Sequence, residues 1–228
     1  MRIAEIYESV QGEGLLTGTP SVFVRASGCN LRCWYCDTPY ASWQPEGDDL
    51  SVAEIVEQVE QFEAKHVVLT GGEPMLFAEL VPLCDQLHNR NFHITIETAG
   101  TLYLPLQCDL MSISPKMNNS APSKSEYPKW HERHERTRHQ SEVIRRLLDE
   151  YDCQLKFVIG SRQDCCEVSE YVTDIKGLDR SRLLLMPEGQ TPESLAKLDD
   201  WLPEYCKEHD FVHCPRMHIE WYGAKRGT

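Results

Sequence analysis

The sequence predicts an α/β fold on a mainly parallel sheet, and two observations carry that reading. Short β-branched or apolar runs alternate with helix-like stretches along most of the 228 residues, the rhythm of βα units. One run, residues 66–70, is compact, apolar and closed by Gly71 and Gly72, as a buried parallel strand would be.

In chain order, residues 21–25 read as a short strand, with Val22, Phe23 and Val24 leading into a cysteine-rich loop. Residues 52–65 follow a capping Ser51 and keep apolar positions 52, 55, 56, 59 and 62 at helical spacing. The apolar strand 66–70 comes next, then a helix over 76–89 that Pro82 disturbs. Residues 93–97 alternate as a strand and stop at Gly100; 111–114 form another. The rest reads as helix 142–151, strand 154–159, helix 164–175, strand 183–186, helix 191–209 broken near Pro203, and strand 211–214. Residues 117–140 interrupt this rhythm. They are polar, contain proline, lack a period and read as a long surface loop or lid, tinted basic by Arg133, Arg136 and Arg138. With no internal repeat and no linker, residues 1–228 are expected to form one domain.

Composition narrows the function. Hydrophobic residues make up 41% of the chain, a globular proportion. A net charge of -13 excludes a sequence-independent grip on nucleic acid, which needs a basic surface. A small anionic substrate remains compatible, because one pocket can be basic on an acidic protein. There is no secretory h-region and no membrane-length apolar stretch, so a cytoplasmic protein is expected.

Of ten cysteines, seven are scattered and read as free, mostly buried thiols. Cys29, Cys33 and Cys36 fall within eight residues. Structural zinc takes four protein ligands, and so do ordinary iron–sulfur clusters. Three thiolates on a 4Fe–4S cluster leave one iron without a protein ligand, open to a substrate or cofactor.

This Cys-x3-Cys-x2-Cys loop resembles the signature of the radical S-adenosylmethionine superfamily. The resemblance implies that S-adenosylmethionine chelates the open iron and is cleaved to an adenosyl radical by one electron from an external donor. It places Tyr35 near the adenine, and Gly72, in the run Thr70 to Pro74, near the methionyl amine. Within the superfamily the chain resembles the 7-carboxy-7-deazaguanine synthase family. The motifs are Glu8 to Gly14, Phe23 to Arg25, Cys36-Asp37-Thr38, Glu97 to Thr101 and Ser114-Pro115-Lys116.

That second resemblance implies a compact, partly open (β/α) barrel, a pterin substrate, Mg2+, and a homodimer. It assigns Val10, Gln11, Gly12, Arg25 and Thr70 to substrate. Tyr35, Cys36, Asp37, Gly72, Ser114, Pro115 and Lys116 go to S-adenosylmethionine, and Thr38 to Mg2+. Several residues keep a second reading: Arg25 as a rim ion pair, Asp37 as a turn cap, Lys116 as a solvated charge, and His218 as structural. Residues 186–189 match a cofactor loop only generically. Two alternatives stand beside this one: a glycyl-radical activase acting on a protein, and a non-catalytic metal-binding protein.

Overall fold

The computed structural model describes residues 1–175 and 179–228. One nine-stranded sheet runs from β1 (Arg2–Val10) to β9 (Val212–His213) in the order β3-β1-β2-β4-β5-β6-β7-β8-β9. Strands β2 (Pro20–Ala26), β4 (His66–Gly71), β5 (His93–Thr98), β6 (Leu110–Ile113), β7 (Cys153–Ile159), β8 (Leu183–Pro187) and β9 are mutually parallel. β1 joins β2 as an antiparallel hairpin, and β3 (Asp48–Asp49) edges β1. The sheet does not close, so the expected partial barrel is an open one.

The central parallel strands are largely buried on both faces, with helices covering the outer one. α1 (Val52–Val59) starts in a reciprocal capping box between Ser51 and Glu54, which satisfies two free backbone donors. α2 (Leu80–His88) buries Leu80, Leu83, Cys84 and Leu87, a stripe at 3.6-residue spacing worth about 1.5–3 kcal/mol per buried leucine. α4 (Ser141–Glu150), α5 (Arg162–Thr173), α6 (Pro192–Asp199) and α7 (Leu202–Glu208) follow, and α8 (Met217–Tyr222) comes last. No described helix is long and apolar enough to cross a membrane.

Several expectations need correction. β1 escapes the sequence reading because Glu5 and Glu8 interrupt a strand that is mostly half-buried. α1 stops at Val59, not 65. α2 begins at Leu80, because Pro74–Leu76 makes its own 3-10 turn. Pro82 then falls in the first turn, where its missing N–H breaks no helical bond. The break in 191–209 comes at Asp200 and Trp201, just before Pro203. The largest correction concerns 117–140: it holds a 3-10 turn, Asn118–Ser120, and the eleven-residue helix α3 (Pro128–Arg138). α3 has no apolar stripe to betray it. Its one buried side chain is His134.

At the amino end of the sheet, Ser21 Oγ donates to Thr19 O at 2.8 Å, so His66 Nδ1–H donates to Ser21 Oγ at 2.7 Å. His66 Nε2 then accepts from Thr95 Oγ1 at 2.8 Å, which requires a neutral ring. Burial, with His93 adding to it, pushes His66 down to about 4. The unfolded chain protonates first, near pH 6.5. This contribution to stability is therefore complete above that pH and is lost as pH falls toward 4. Denaturant titrations at pH 7 and 4.5 should show the loss, and His66→Asn should flatten the pH dependence while lowering stability at pH 7. An unchanged slope in the variant would remove His66 as the cause.

Candidate active site

The carboxyl ends of the parallel strands open onto one cavity of about 350 Å³, where open α/β sheets bind ligands. β2 contributes Arg25, β4 Thr70 and Gly71, β5 Glu97, β7 Lys156, and β8 Met186. The cysteine loop forms one wall, and the turn into α8 adds Arg216 and His218 to the lining.

Backbone geometry builds the cysteine wall. Gly28 has φ +144° and Gly71 φ +141°, values that favour glycine. Gly28 N–H donates to Ala41 O, and Glu73 N–H donates to Gly28 O, both at 2.8 Å. A Cβ on Gly72 would lie 2.2 Å from Gly28 O and 2.4 Å from Ala41 O. The Gly71–Gly72 turn thus packs directly on the cysteine loop. Buried Glu73 fixes that turn by accepting from Met75 N–H, Thr98 Oγ1 and Ala99 N–H at 3.1, 2.8 and 2.9 Å.

Cys29, Cys33 and Cys36 all line the cavity, and none is in a disulfide. Burial pushes the Cys29 and Cys33 thiols up to about 12, so loading metal there means releasing protons. Among the described residues no three His, Cys, Asp or Glu are gathered around a single ion. A cubane differs, since each cysteine binds its own iron. Three free thiols on one cavity wall, beside a glycine cradle, fit a 4Fe–4S cluster with an open iron.

A buried polar cluster lines the same cavity. Glu13 pairs with Lys156, with Arg216 Nε at 3.0 Å and with His218 Nδ1 at 3.8 Å. Burial alone would raise the Glu13 pKa, but Lys156 and Arg216 hold it well below the usual carboxylate range. Glu97 accepts from Gln11 Nε2 at 3.3 Å and Thr70 Oγ1 at 2.8 Å, with Lys156 Nζ 4.0 Å away. Gly12 is needed for close approach: a Cβ there would meet His218 at 2.7 Å.

Of the residues named from sequence, Val10, Gln11, Gly12, Arg25, Tyr35, Asp37, Thr38, Thr70, Gly72, Ser114 and Lys116 line this cavity with the three cysteines. Pro115 is buried and is not part of the lining. Asp37 does not cap the following turn; its carboxylate pairs with Arg216. Arg25 is indeed ion-paired, donating from Nε to Glu5 at 2.7 Å and from Nη2 to Tyr7 Oη at 3.1 Å, yet it still faces the cavity. Lys116 is not merely solvated: Nζ donates to Ser114 Oγ at 2.6 Å. Tyr35 packs with Val158, Met186 and Cys214.

Sequence reading missed Glu13, Lys156 and Arg216 as site residues. One signal was available: Lys156 is a charge inside a strand buried at every position, and buried charges are paired or functional.

Strand-end cavity, three-cysteine loop and glycine cradle define a radical S-adenosylmethionine enzyme, and the Radical SAM superfamily model matches residues 23–159. The chain belongs to the 7-carboxy-7-deazaguanine synthase family. A 7-carboxy-7-deazaguanine synthase from Rhodopirellula baltica is 42% identical over 99% of this chain and 88% of its own length. One from Halobacterium salinarum is 41% identical over 95% and 88%. The crystal structure of QueE from Escherichia coli shares the fold, with a TM-score of 0.73 at 24% identity, covering 95% of this chain and 94% of that one.

Proposed function

We propose that this chain converts 6-carboxy-5,6,7,8-tetrahydropterin to 7-carboxy-7-deazaguanine with release of ammonia, a step toward queuosine and related 7-deazapurines. The observation that carries the reading is one cavity holding both the three-cysteine wall and the Gln11–Thr70–Glu97 edge. The bound cluster and S-adenosylmethionine supply the one-electron chemistry that abstracts hydrogen. The protein binds, orients and excludes water.

Glu97 and Gln11 present an acceptor and an amide to a pyrimidinone edge, whose N–H groups need such partners. Arg25 keeps Nη1 free of protein partners among the described residues, leaving a charged donor for a substrate oxygen. Gly72 and Ser114 with Lys116 receive S-adenosylmethionine beside Tyr35, Cys36 and Asp37. Thr38 offers a neutral oxygen to Mg2+, a hard cation that takes oxygen ligands. A homodimer and an external electron donor complete the proposed assembly.

Anaerobic incubation of the reconstituted enzyme with carboxypterin, S-adenosylmethionine and dithionite should give the deazaguanine acid and one equivalent of ammonia. Mg2+ should raise the rate. Thr38→Val, which keeps the shape but removes the oxygen, should weaken the Mg2+ response by roughly 10–100-fold with the cluster retained. An unchanged Mg2+ titration would remove Thr38 from this role. Cleavage of S-adenosylmethionine that ignores the pterin but responds to a protein glycine would replace the reading with an activase.

A further inference from the structure

Arg216 reaches three loops of the cavity with its guanidinium. Nε donates to Glu13 Oε1 at 3.0 Å, Nη1 donates to Gly189 O at 2.6 Å, and Nη2 donates to Asp37 Oδ2. Its side chain is only 7% exposed, and the proposed function leaves it without a task.

Each of these loops serves a different part of the proposed reaction. Glu13 follows the run Val10 to Gly12 assigned to the pterin, and its N–H donates to Gln11 Oε1 at 3.1 Å. Gln11 in turn donates to Glu97. Asp37 stands between Cys36 and Thr38, the third cysteine and the residue offered to Mg2+. Gly189 closes the segment 186–189, which resembles a cofactor loop only generically. The main chain adds a second tie: Met217 N–H donates to Gly12 O at 3.0 Å, so the turn carrying Arg216 is fastened to the pterin segment. Arg216 therefore bridges the pterin residues and the cofactor residues. Lys156 makes no such bridge, since its partners Glu13 and Glu97 both belong with the pterin residues.

The two ends of the bridge are held unequally. Glu13 has Lys156 as a further cation. Asp37 is 43% exposed, and Arg216 is its one salt-bridge partner among the described residues. Without Arg216, nothing described holds the Asp37 carboxylate in place.

We infer, on the basis of the proposed function, that Arg216 is a positioning residue coupling pterin binding to cofactor binding. A carboxypterin on Gln11 and Gly12 fixes Glu13, Glu13 fixes the guanidinium, and the guanidinium fixes Asp37 with the Cys36–Thr38 loop. S-adenosylmethionine and Mg2+ then meet a loop already ordered for them, which lowers the cost of binding. Linkage makes the effect reciprocal. A positive charge alone does not supply it. The planar fork of arginine meets both carboxylates through separate N–H bonds, a geometry that lysine lacks.

The test is an anaerobic equilibrium titration of the cluster-loaded enzyme without reductant, so that no S-adenosylmethionine is cleaved. Carboxypterin affinity is measured with and without saturating S-adenosylmethionine and Mg2+. In the native enzyme these two should tighten carboxypterin binding by roughly 5–150-fold, the usual span of coupling between sites. Arg216→Gln should bring that factor close to one, with Lys156 still neutralising Glu13. Arg216→Lys should recover little of it. Asp37→Ala breaks the bridge from its exposed end and leaves the buried arginine on Glu13, so it tests the coupling even if Arg216→Gln does not fold. The double variant Arg216→Gln, Asp37→Ala should show the same factor as either single one, the sign of one shared link. A factor left at the native value by Arg216→Gln or by Asp37→Ala overturns the inference. Full recovery by lysine would make the effect one of charge, and additive losses in the double variant would make the two residues independent; either also overturns it. A native enzyme that binds carboxypterin without any coupling overturns the coupling alone. A native enzyme that binds no carboxypterin counts against the proposed function, and the coupling falls with it.

Discussion

Cys33→Ala is expected to yield a folded protein that retains no 4Fe–4S cluster and cleaves no S-adenosylmethionine. The proposed cluster site offers three thiols and no spare. The other described cysteines are not placed to substitute, since none of Cys84, Cys108, Cys153, Cys165, Cys166, Cys206 and Cys214 lines the cavity. The Cys33 backbone, whose carbonyl holds Trp43 at 3.0 Å, survives the substitution, so circular dichroism should not change. Iron and sulfide analysis of the native protein should return about four irons per chain, the content of one cubane, and the variant almost none. Cys153→Ala is the control: its Sγ donates to Leu147 O at 3.3 Å inside the core, far from any cluster role. It should keep both iron and cleavage. An active Cys33→Ala enzyme would end the assignment.

Arg25→Ala should cut carboxypterin kcat/KM by roughly 10–150-fold, the worth of a charge-assisted hydrogen bond of about 1.5–3 kcal/mol. Arg25→Lys should fall between, because it keeps the charge and loses the planar fork. The surroundings make this a clean experiment. Glu5 would not be stranded, since it also accepts from Tyr40 Oη at 2.7 Å and Arg226 Nε at 3.1 Å. Substrate-independent cleavage of S-adenosylmethionine should persist in both variants, as the cysteine wall and the glycine cradle are untouched. If cleavage and conversion fell together, Arg25 would be serving the fold or the cofactor. If neither fell, the pterin carboxylate would not sit at this end of the cavity.

The buried salt-bridge cluster shows where reading a sequence stops. Glu13 and Lys156 are 143 residues apart, and Glu13 and Arg216 are 203 apart. No local pattern links them, and only Lys156, inside an apolar strand, stands out by itself. α3 shows a different limit. Helical periodicity is legible when apolar residues mark one face, but α3 buries a histidine through hydrogen bonds and holds half-buried Trp130 under a cation. β1 is a third case, since its pairing with β2 comes from register across a hairpin and not from its own alternation.

By itself, the sequence indicated the α/β order and the parallel core strands, and singled out three cysteines as the expected cluster ligands. Each of these rests on residues close together in the chain: apolar runs, the spacing of Cys29, Cys33 and Cys36, and the glycines after β4. Only the tertiary structure decided that Glu13, Glu97, Lys156 and Arg216 meet in one cavity, that Arg25 is held by Glu5 and Tyr7, and that α3 clasps the cysteine loop. Those contacts form between strand ends and turns that the sheet order brings together. Their energy comes from charges and donors sharing a desolvated space, a property of position in the fold that no short stretch of residues carries.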